Sequence, residues 1–300
     1  MGQMQQPFTV KRIMRDYGAC YVFILVPVLM FLLFKLIPVV YGLVTSFQKY
    51  KVMGSSWVGL KNYGRALTDP VFWKAMEVTS LFTLGTVPVT IGIALLLSVL
   101  IHPLKKGWQT FFKASFYLPT VASGVIITMI WLWIFEPTTA GLFNMFIGLF
   151  GLENVNWLGQ SRTALPSFIV MTWLSSHGSA VILYMASLGS IPRSLYESAE
   201  IDGAGPARSF RSITWPLLKP TTLYLLVIGV INSFQVFIQI YLMTMGGPNF
   251  ATTTISFLIY QHAFEYYDFG LASAESFLLA IVIVAISIFQ FKFLSQDVEY

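Results

Sequence analysis

Ile191-Pro192-Arg193-Ser194-Leu195-Tyr196-Glu197-Ser198-Ala199-Glu200-Ile201-Asp202-Gly203-Ala204-Gly205-Pro206 is a polar, charged island between two apolar runs. It continues through Phe210 and Ile213 to Pro216-Leu217-Leu218-Lys219-Pro220. Its local grammar is helix, break, helix. Pro192 suits a first helical turn, where a missing N–H costs nothing. Ser194-x-x-Glu197 reads as a capping box at the helix start. Gly203, Gly205 and Pro206 stop that helix, because Gly tolerates a left-handed cap and Pro cannot continue the ladder. A second short helix is predicted from Ala207 to about Trp215, ending before Pro216. On local pattern alone, this is a rigid elbow or a plain connecting loop between apolar segments.

Working outward, the apolar context decides the class. The chain has 300 residues, 56% hydrophobic and 10% charged, whereas a soluble domain carries about a quarter charged residues. Crossing a bilayer as a helix takes about 20 apolar residues. Six such runs are predicted, at about 19–46, 76–101, 114–135, 165–188, 221–245 and 272–294. The reading is an all-α membrane protein, one transmembrane domain over 1–300, with the island at 189–219 as a loop. The basic start (Lys11, Arg12, Arg15) precedes an apolar run too long for a signal-peptide core, so an uncleaved first span is expected. Alternating strand patterning is absent, which excludes a barrel. With the N-terminus inside, inner segments hold eleven Lys and Arg and outer loops six, with Lys35 within a span. That bias predicts both termini and 189–219 on the cytoplasmic side. The net charge of +5 then reflects inner loops rather than nucleic acid. The single Cys20 excludes an internal disulfide.

The island resembles the cytoplasmic coupling loop of ABC importer permeases, a motif of E-A-A, then Gly, then I-x-L-P. Glu197-Ser198-Ala199 stands for E-A-A, Gly203 falls at the expected offset, and Ile213-Thr214-Trp215-Pro216 closes it. Ser198 replaces the middle Ala and Trp215 the usual Leu, with the spacing intact. The block Ile201-Asp202-Gly203-Ala204 is similar to the carbohydrate branch of that family. Further strings agree in order and spacing: Trp57 to Tyr63, Tyr117-Leu118-Pro119, Trp157-Leu158-Gly159, Gly246-Gly247-Pro248, Ala251 to Thr254 and Tyr260-Gln261-x-Ala263-Phe264. The likeness covers roughly 19–294. It implies a type I ABC importer permease fold of six spans. It also implies a second homologous permease, two ATPase subunits, an extracellular solute-binding protein and a carbohydrate delivered by it. The coupling residues it marks are Glu197, Ser198, Ala199, Asp202, Gly203, Ala204, Ile213 and Pro216. It places the chain as a multi-pass protein of the bacterial cytoplasmic membrane.

Catalytic motifs are missing. No Lys follows a Gly, so there is no G-x-x-x-x-G-K-[ST] phosphate loop. There is no H-E-x-x-H and no G-x-S-x-G. His102, His177 and His262 fall in separate segments with no cysteine cluster, so no metal site is expected. The chain is expected not to be an enzyme and to hold no cofactor. By the resemblance, ATP and magnesium belong to the partner ATPase.

Polar groups inside the spans call for a function. Asn232, Gln235 and Gln239 stand at offsets that share one helical face. They are read as interhelical glue or as the wall of a wet cavity that bonds sugar hydroxyls. Thr79, Thr83, Thr86 and Thr90 form a second stripe, read mainly as structural, since Thr bonds back to its own helix. Lys35 is read as snorkelling, with Glu275 as a candidate partner. Trp57, Tyr63, Phe72, Trp73, Trp131, Trp133 and Phe135 read as an interfacial belt or as a docking lip. The alternative class, an ion-coupled carrier or channel acting alone, would want ionisable relays and internal repeats, and neither is seen.

Overall fold

The structure is a computed structural model that describes residues 10–50 and 54–294. The call on Lys51 and on the side chains of Lys11, Arg12 and Arg15 lies outside the residues whose side chains are described. Helix α1 (Val10–Phe31) runs through a π turn at Leu32–Leu36 into α2 (Ile37–Ser46). A short antiparallel hairpin follows, β1 (Gln48–Lys49) with β2 (Ser56–Trp57), in the register Gln48 to Trp57. Then come α3 (Lys61–Thr68) and α4 (Pro70–Ile101). Pro70 opens α4, and the Asp69 side chain caps it by accepting the Val71 N–H at 2.8 Å. Next are α5 (Lys106–Val121), α6 (Gly124–Ile134) and α7 (Leu142–Gly148). After α8 (Ala164–Ser175) and α9 (Gly178–Ser190) come the elbow helices α10 (Arg193–Ile201) and α11 (Pro206–Ser209). A π turn at Phe210–Thr214 leads into α12 (Trp215–Phe234), and α13 (Ile238–Met243) follows. Last are α14 (Ile255–Tyr260), a π turn at Gln261–Glu265 and α15 (Phe269–Leu294).

Among the described residues, four helical stretches are long and apolar enough to cross a membrane: 21–46, 70–101, 206–243, which contains a short break at 235–237, and 269–292. The expected third and fourth spans are each a bent pair. The α5–α6 pair bends by 96° and the α8–α9 pair by 41°. Apolar run length did not reveal these bends, because hydropathy is blind to a two-residue interruption. The local chemistry explains them. Ser123 leaves the helix and caps α6 through the Val125 N–H. Ser175, Ser176 and His177 precede Gly178, where a Cβ would collide with the backbone carbonyl oxygen of Phe116. The break thus brings α9 directly against α5.

The long α4 is the hub. Ala75, Val87, Ile91 and Ala94 belong to one buried cluster, with Val181, Tyr184 and Leu188 of α9 and Leu218 and Val230 of α12. Small residues permit the approach: a Cβ on Gly229 would lie 2.9 Å from Val87, and one on Gly85 only 2.8 Å from Ile169. A second cluster gathers Phe82, Trp131, Phe135, Phe168, Ile240 and Phe257. So Trp131 and Phe135 are core rather than belt, while Trp133, Trp57 and Trp73 are exposed. The first span is the opposite case: its most apolar window is 0% buried, and burial starts only at Thr45 and Ser46.

Two further expectations change. Pro216 does not end a short helix, because the chain stays helical from Pro206 to Phe234. The π turn absorbs the irregularity, with the Trp215 N–H bonding five residues back to Phe210. Glu275 does not pair with Lys35. It is fully buried, and its two oxygens lie 2.9 and 2.8 Å from Nδ1 of His262.

The His262–Glu275 contact ties the turn at Gln261–Glu265 to α15. Burial pulls the imidazole down, but its hydrogen bond to Glu275 and the charges of Glu275, Asp69 and Asp268 prevail and hold it above its ordinary value. A raised histidine contributes stability that is complete below the unfolded value of about 6.5 and is lost as pH rises through the folded one. Hydrogen exchange at 255–265 should therefore speed up as pH rises above that range, beyond the intrinsic pH effect. His262→Gln should remove the extra slope; an unchanged slope would show that the pair does not hold the turn.

Candidate functional site

The elbow comes first. Helix α10 begins after Pro192, which occupies the cap position, so the expected capping box is not formed. Ser194 makes no cap bond, and Glu197 instead lies 3.1 Å from Nε of Arg193 in an exposed i,i+4 pair, the kind that adds little stability. The end of α10 is as expected. Gly203 takes φ +75°, its N–H bonds to Glu200, and the Ala204 N–H bonds to Ala199 at 2.8 Å. These are the paired bonds of a Schellman cap. A Cβ at Gly203 would meet nothing within 4 Å, so the glycine is required by backbone conformation and not by crowding. One side-chain bond closes the elbow: Tyr196 Oη to Thr214 Oγ1 at 2.9 Å.

The elbow presents itself outward. No residue of α10 is buried, and Ile201 at its tip is 87% exposed, beside exposed Glu197, Glu200 and Asp202. Ile213 is half-buried and Pro216 lies in the first turn of α12. From Pro206 onward the elbow feeds without interruption into α12.

At the other end of α12 is a cavity of about 320 Å³. Its walls are Phe82, Thr86, Val87 and Thr90 of α4, Phe168, Met171 and Thr172 of α8, Ser176, Gly229, Asn232 and Ser233 of α12, Val236, and Gln239 of α13. No lining residue carries a charge. Two helix breaks meet there, at 176–177 and 235–237. Broken helices inside a membrane leave backbone groups that need partners. Thr254 and Ser256 supply some, donating to the carbonyls of Val236 (3.0 Å) and Phe234 (3.1 Å).

The break also rearranges the amides. A continuous helix would put Asn232, Gln235 and Gln239 on one face. Instead α12 stops at Phe234, and Gln235 is its exposed end residue, outside the cavity lining. Asn232 and Gln239 do line it. Neither side-chain amide bonds another protein group among the described residues, so both keep donors and acceptors for a ligand.

The threonine stripe divides. Thr79 accepts the Ile255 N–H at 2.9 Å, and Thr83 bonds Ser233 at 2.9 Å, which is the structural role expected. Thr86 and Thr90 also donate to their own helix, at 2.7 and 2.9 Å. They nevertheless face the cavity and offer it hydroxyl lone pairs. Thr172 and Ser176 were not singled out from the sequence. The available signal was the Ser-Ser-His-Gly interruption of an apolar run.

Comparison with known proteins follows this geometry. Residues 18–299 match the family model described as the binding-protein-dependent transport system inner membrane component. The chain is 34% identical over 280 residues to the probable ABC transporter permease protein YurN of Bacillus subtilis (strain 168), covering 92% of this chain and 96% of that one. It is 31% identical over 277 residues to the arabinooligosaccharides transport system permease protein AraP of the same strain, covering 92% and 88%. Among solved structures, a bacterial ABC transporter involved in import of the acidic polysaccharide alginate matches with TM-score 0.86. The identity there is 26%, over 97% of this chain and 99% of that one.

Gly203→Ala should destabilise the elbow by roughly 1–2 kcal/mol, the cost of a left-handed residue with a Cβ, and Gly203→Asn by less. Faster hydrogen exchange of the Ala204 amide is the readout. Equal exchange in Gly203→Ala would show that the cap is not held by this conformation.

Proposed function

The chain belongs to the binding-protein-dependent transport system inner membrane component family, and from that membership we propose that it is the permease subunit of an ATP-driven carbohydrate importer. The observation that carries the proposal is one helical path. The exposed elbow runs from Pro206 through Trp215–Phe234 to Asn232 and Ser233 on the cavity wall. A push on the elbow displaces a wall of the cavity as a rigid body. Two packings biased by nucleotide are enough for switching.

In this reading ATP and magnesium are bound by two partner ATPase subunits, one of them seated on α10, with Glu197, Ser198, Ala199, Asp202, Gly203 and Ala204 as the contact surface. A second, homologous permease completes the pathway and covers part of the exposed first span. A solute-binding protein delivers the carbohydrate on the opposite side. Both termini and 189–219 lie in the cytoplasm of a bacterium. The names of the relatives support a saccharide, and so does the cavity. Its uncharged wall of amides and hydroxyls matches sugar hydroxyls, and Phe82, Phe168 and Met171 match the apolar ring faces. An ion-coupled carrier acting alone would want an ionisable lining group, and the cavity wall, made of apolar, hydroxyl and amide side chains, offers none among the described residues.

Two experiments test the proposal. Reconstituted with its partners, the complex should accumulate sugar only with ATP and the binding protein. Accumulation driven by an ion gradient without ATP would overturn it. Within that assay, Asn232→Leu or Gln239→Leu should raise the apparent KM about tenfold, the loss of one hydrogen bond in a desolvated site. Gln235→Leu should leave it near the wild-type value. Equal effects at Gln235 and Asn232 would count against the cavity as the sugar path.

For topology, a cysteine at position 208 should resist a membrane-impermeant thiol reagent in spheroplasts, while one at position 250 reacts. Ready labelling at 208 would reverse the orientation.

A further inference from the structure

We propose that the connection between α6 and α8 is not a water-exposed loop but an interfacial element, with α7 and its C-terminal turn embedded among lipid acyl chains. Four observations converge. First, residues 137–152 contain no Asp, Glu, Lys, Arg or His, and charges resume only at Glu136 and Glu153. A connection facing water over sixteen residues would carry charge at the usual frequency of about one in four.

Second, the apolar side chains point outward. Met145, Phe146, Leu149, Phe150 and Leu152 are between 55% and 78% exposed. Soluble surfaces scatter such residues singly and rarely gather them.

Third, the segment cannot roll over to hide them. Asn144 is 1% exposed, and its amide is used four times. Its Nδ2 donates to the carbonyls of Glu136 (3.1 Å) and Val155 (3.0 Å), and its Oδ1 accepts from the Val155 N–H and Trp157 Nε1, both at 3.0 Å. Phe143 beside it packs edge-on against Phe135, with ring centroids 5.3 Å apart. This clasp fixes which helical face looks inward, and the exposed residues lie away from it.

Fourth, the backbone is equipped for a low-dielectric setting. Helix α7 ends in its own Schellman cap. Gly151 takes φ +72°, its N–H bonds to Gly148, and the Leu152 N–H bonds to Ile147. Carbonyls at the end of a helix need partners; this cap supplies them to Ile147 and Gly148 from within, as the one on α10 does in the exposed elbow, so the helix end tolerates lipid. The absence of any charge also speaks for lipid over a soluble docking protein, whose interfaces carry a polar rim. The inference needs the bundle to be membrane-embedded and is independent of the carbohydrate reading.

The test places an environment-sensitive fluorophore on single cysteines, in a Cys20→Ser background of the full importer. The importer is purified through a tag on this chain and reconstituted in phosphatidylcholine liposomes. Phe150→Cys and Leu149→Cys, both at exposed positions, report on the element, and Arg162→Cys in the same connection reports on water. Lipids carrying a spin label on the acyl chain should quench the 149 and 150 sites severalfold more than the 162 site. Aqueous iodide should show the reverse order. Iodide quenching at 150 as strong as at 162 would place the element in water and overturn the proposal. Protection of 149 and 150 from both quenchers would show that protein covers them, such as the second permease, and would overturn it too.

Discussion

Backbone polar groups inside a membrane have no water to turn to, and this structure is arranged around that constraint. An unbroken helix meets it without help; a broken one needs donors and acceptors brought from elsewhere. At 235–237 the help comes from Thr254 and Ser256, which bond the carbonyls of Val236 and Phe234. At 176–177, His177 Nδ1 lies 3.1 Å from the Trp173 carbonyl, and Trp131 Nε1 reaches across from α6 to the Ser175 side chain at 2.8 Å. Each break is thus a point where segments distant in sequence must meet. The same two breaks bound the cavity. The wall hydroxyls of Thr86, Thr90 and Thr172 bond back to their own helices, while the amides of Asn232 and Gln239 do not serve the backbone among the described residues and stay open to a ligand.

The hub helix α4 shows how close packing and polarity coexist. Its small residues let neighbours approach, with Gly229 of α12 against Val87 and Gly85 against Ile169. Its threonines bond back into their own helix, which lowers the cost of burial. Thr79 and Thr83 spend their remaining capacity on α14 and α12. Further along the same stripe, Thr86 and Thr90 border the cavity, with Thr86 Oγ1 still 3.5 Å from Ser233 Oγ. One row of residues therefore serves as glue at one level and as lining at the next. The difference lies in what stands opposite, which is a property of the bundle and not of the helix.

The π turn at Phe210–Thr214 keeps the chain helical from Pro206 through Pro216 into α12, and the turn at 202–205 joins that segment to the exposed tip of α10. The Tyr196–Thr214 bond braces the corner between them.

The helical membrane class and the helix-break-helix pattern of the elbow were legible in the amino-acid sequence, because each depends on local chemistry. Apolar run length reports transfer free energy, and Gly203 announces a left-handed cap wherever it is placed. The ending of α10 could be read for that reason. The capping box could not, because Ser194 and Glu197 are compatible with a cap but the helix starts earlier, with Pro192 in the cap position. The amide stripe shows the limit most clearly. Periodicity assumes a continuous helix, and the break after Phe234 removes Gln235 from a face that Asn232 and Gln239 still share. Glu275 likewise gave no hint of His262, thirteen residues away across a turn. Helix breaks, and the partners that meet them, are settled by which segments pack together. A one-dimensional pattern therefore determined what this chain is made of, and only the tertiary structure decided which of its polar groups face the cavity.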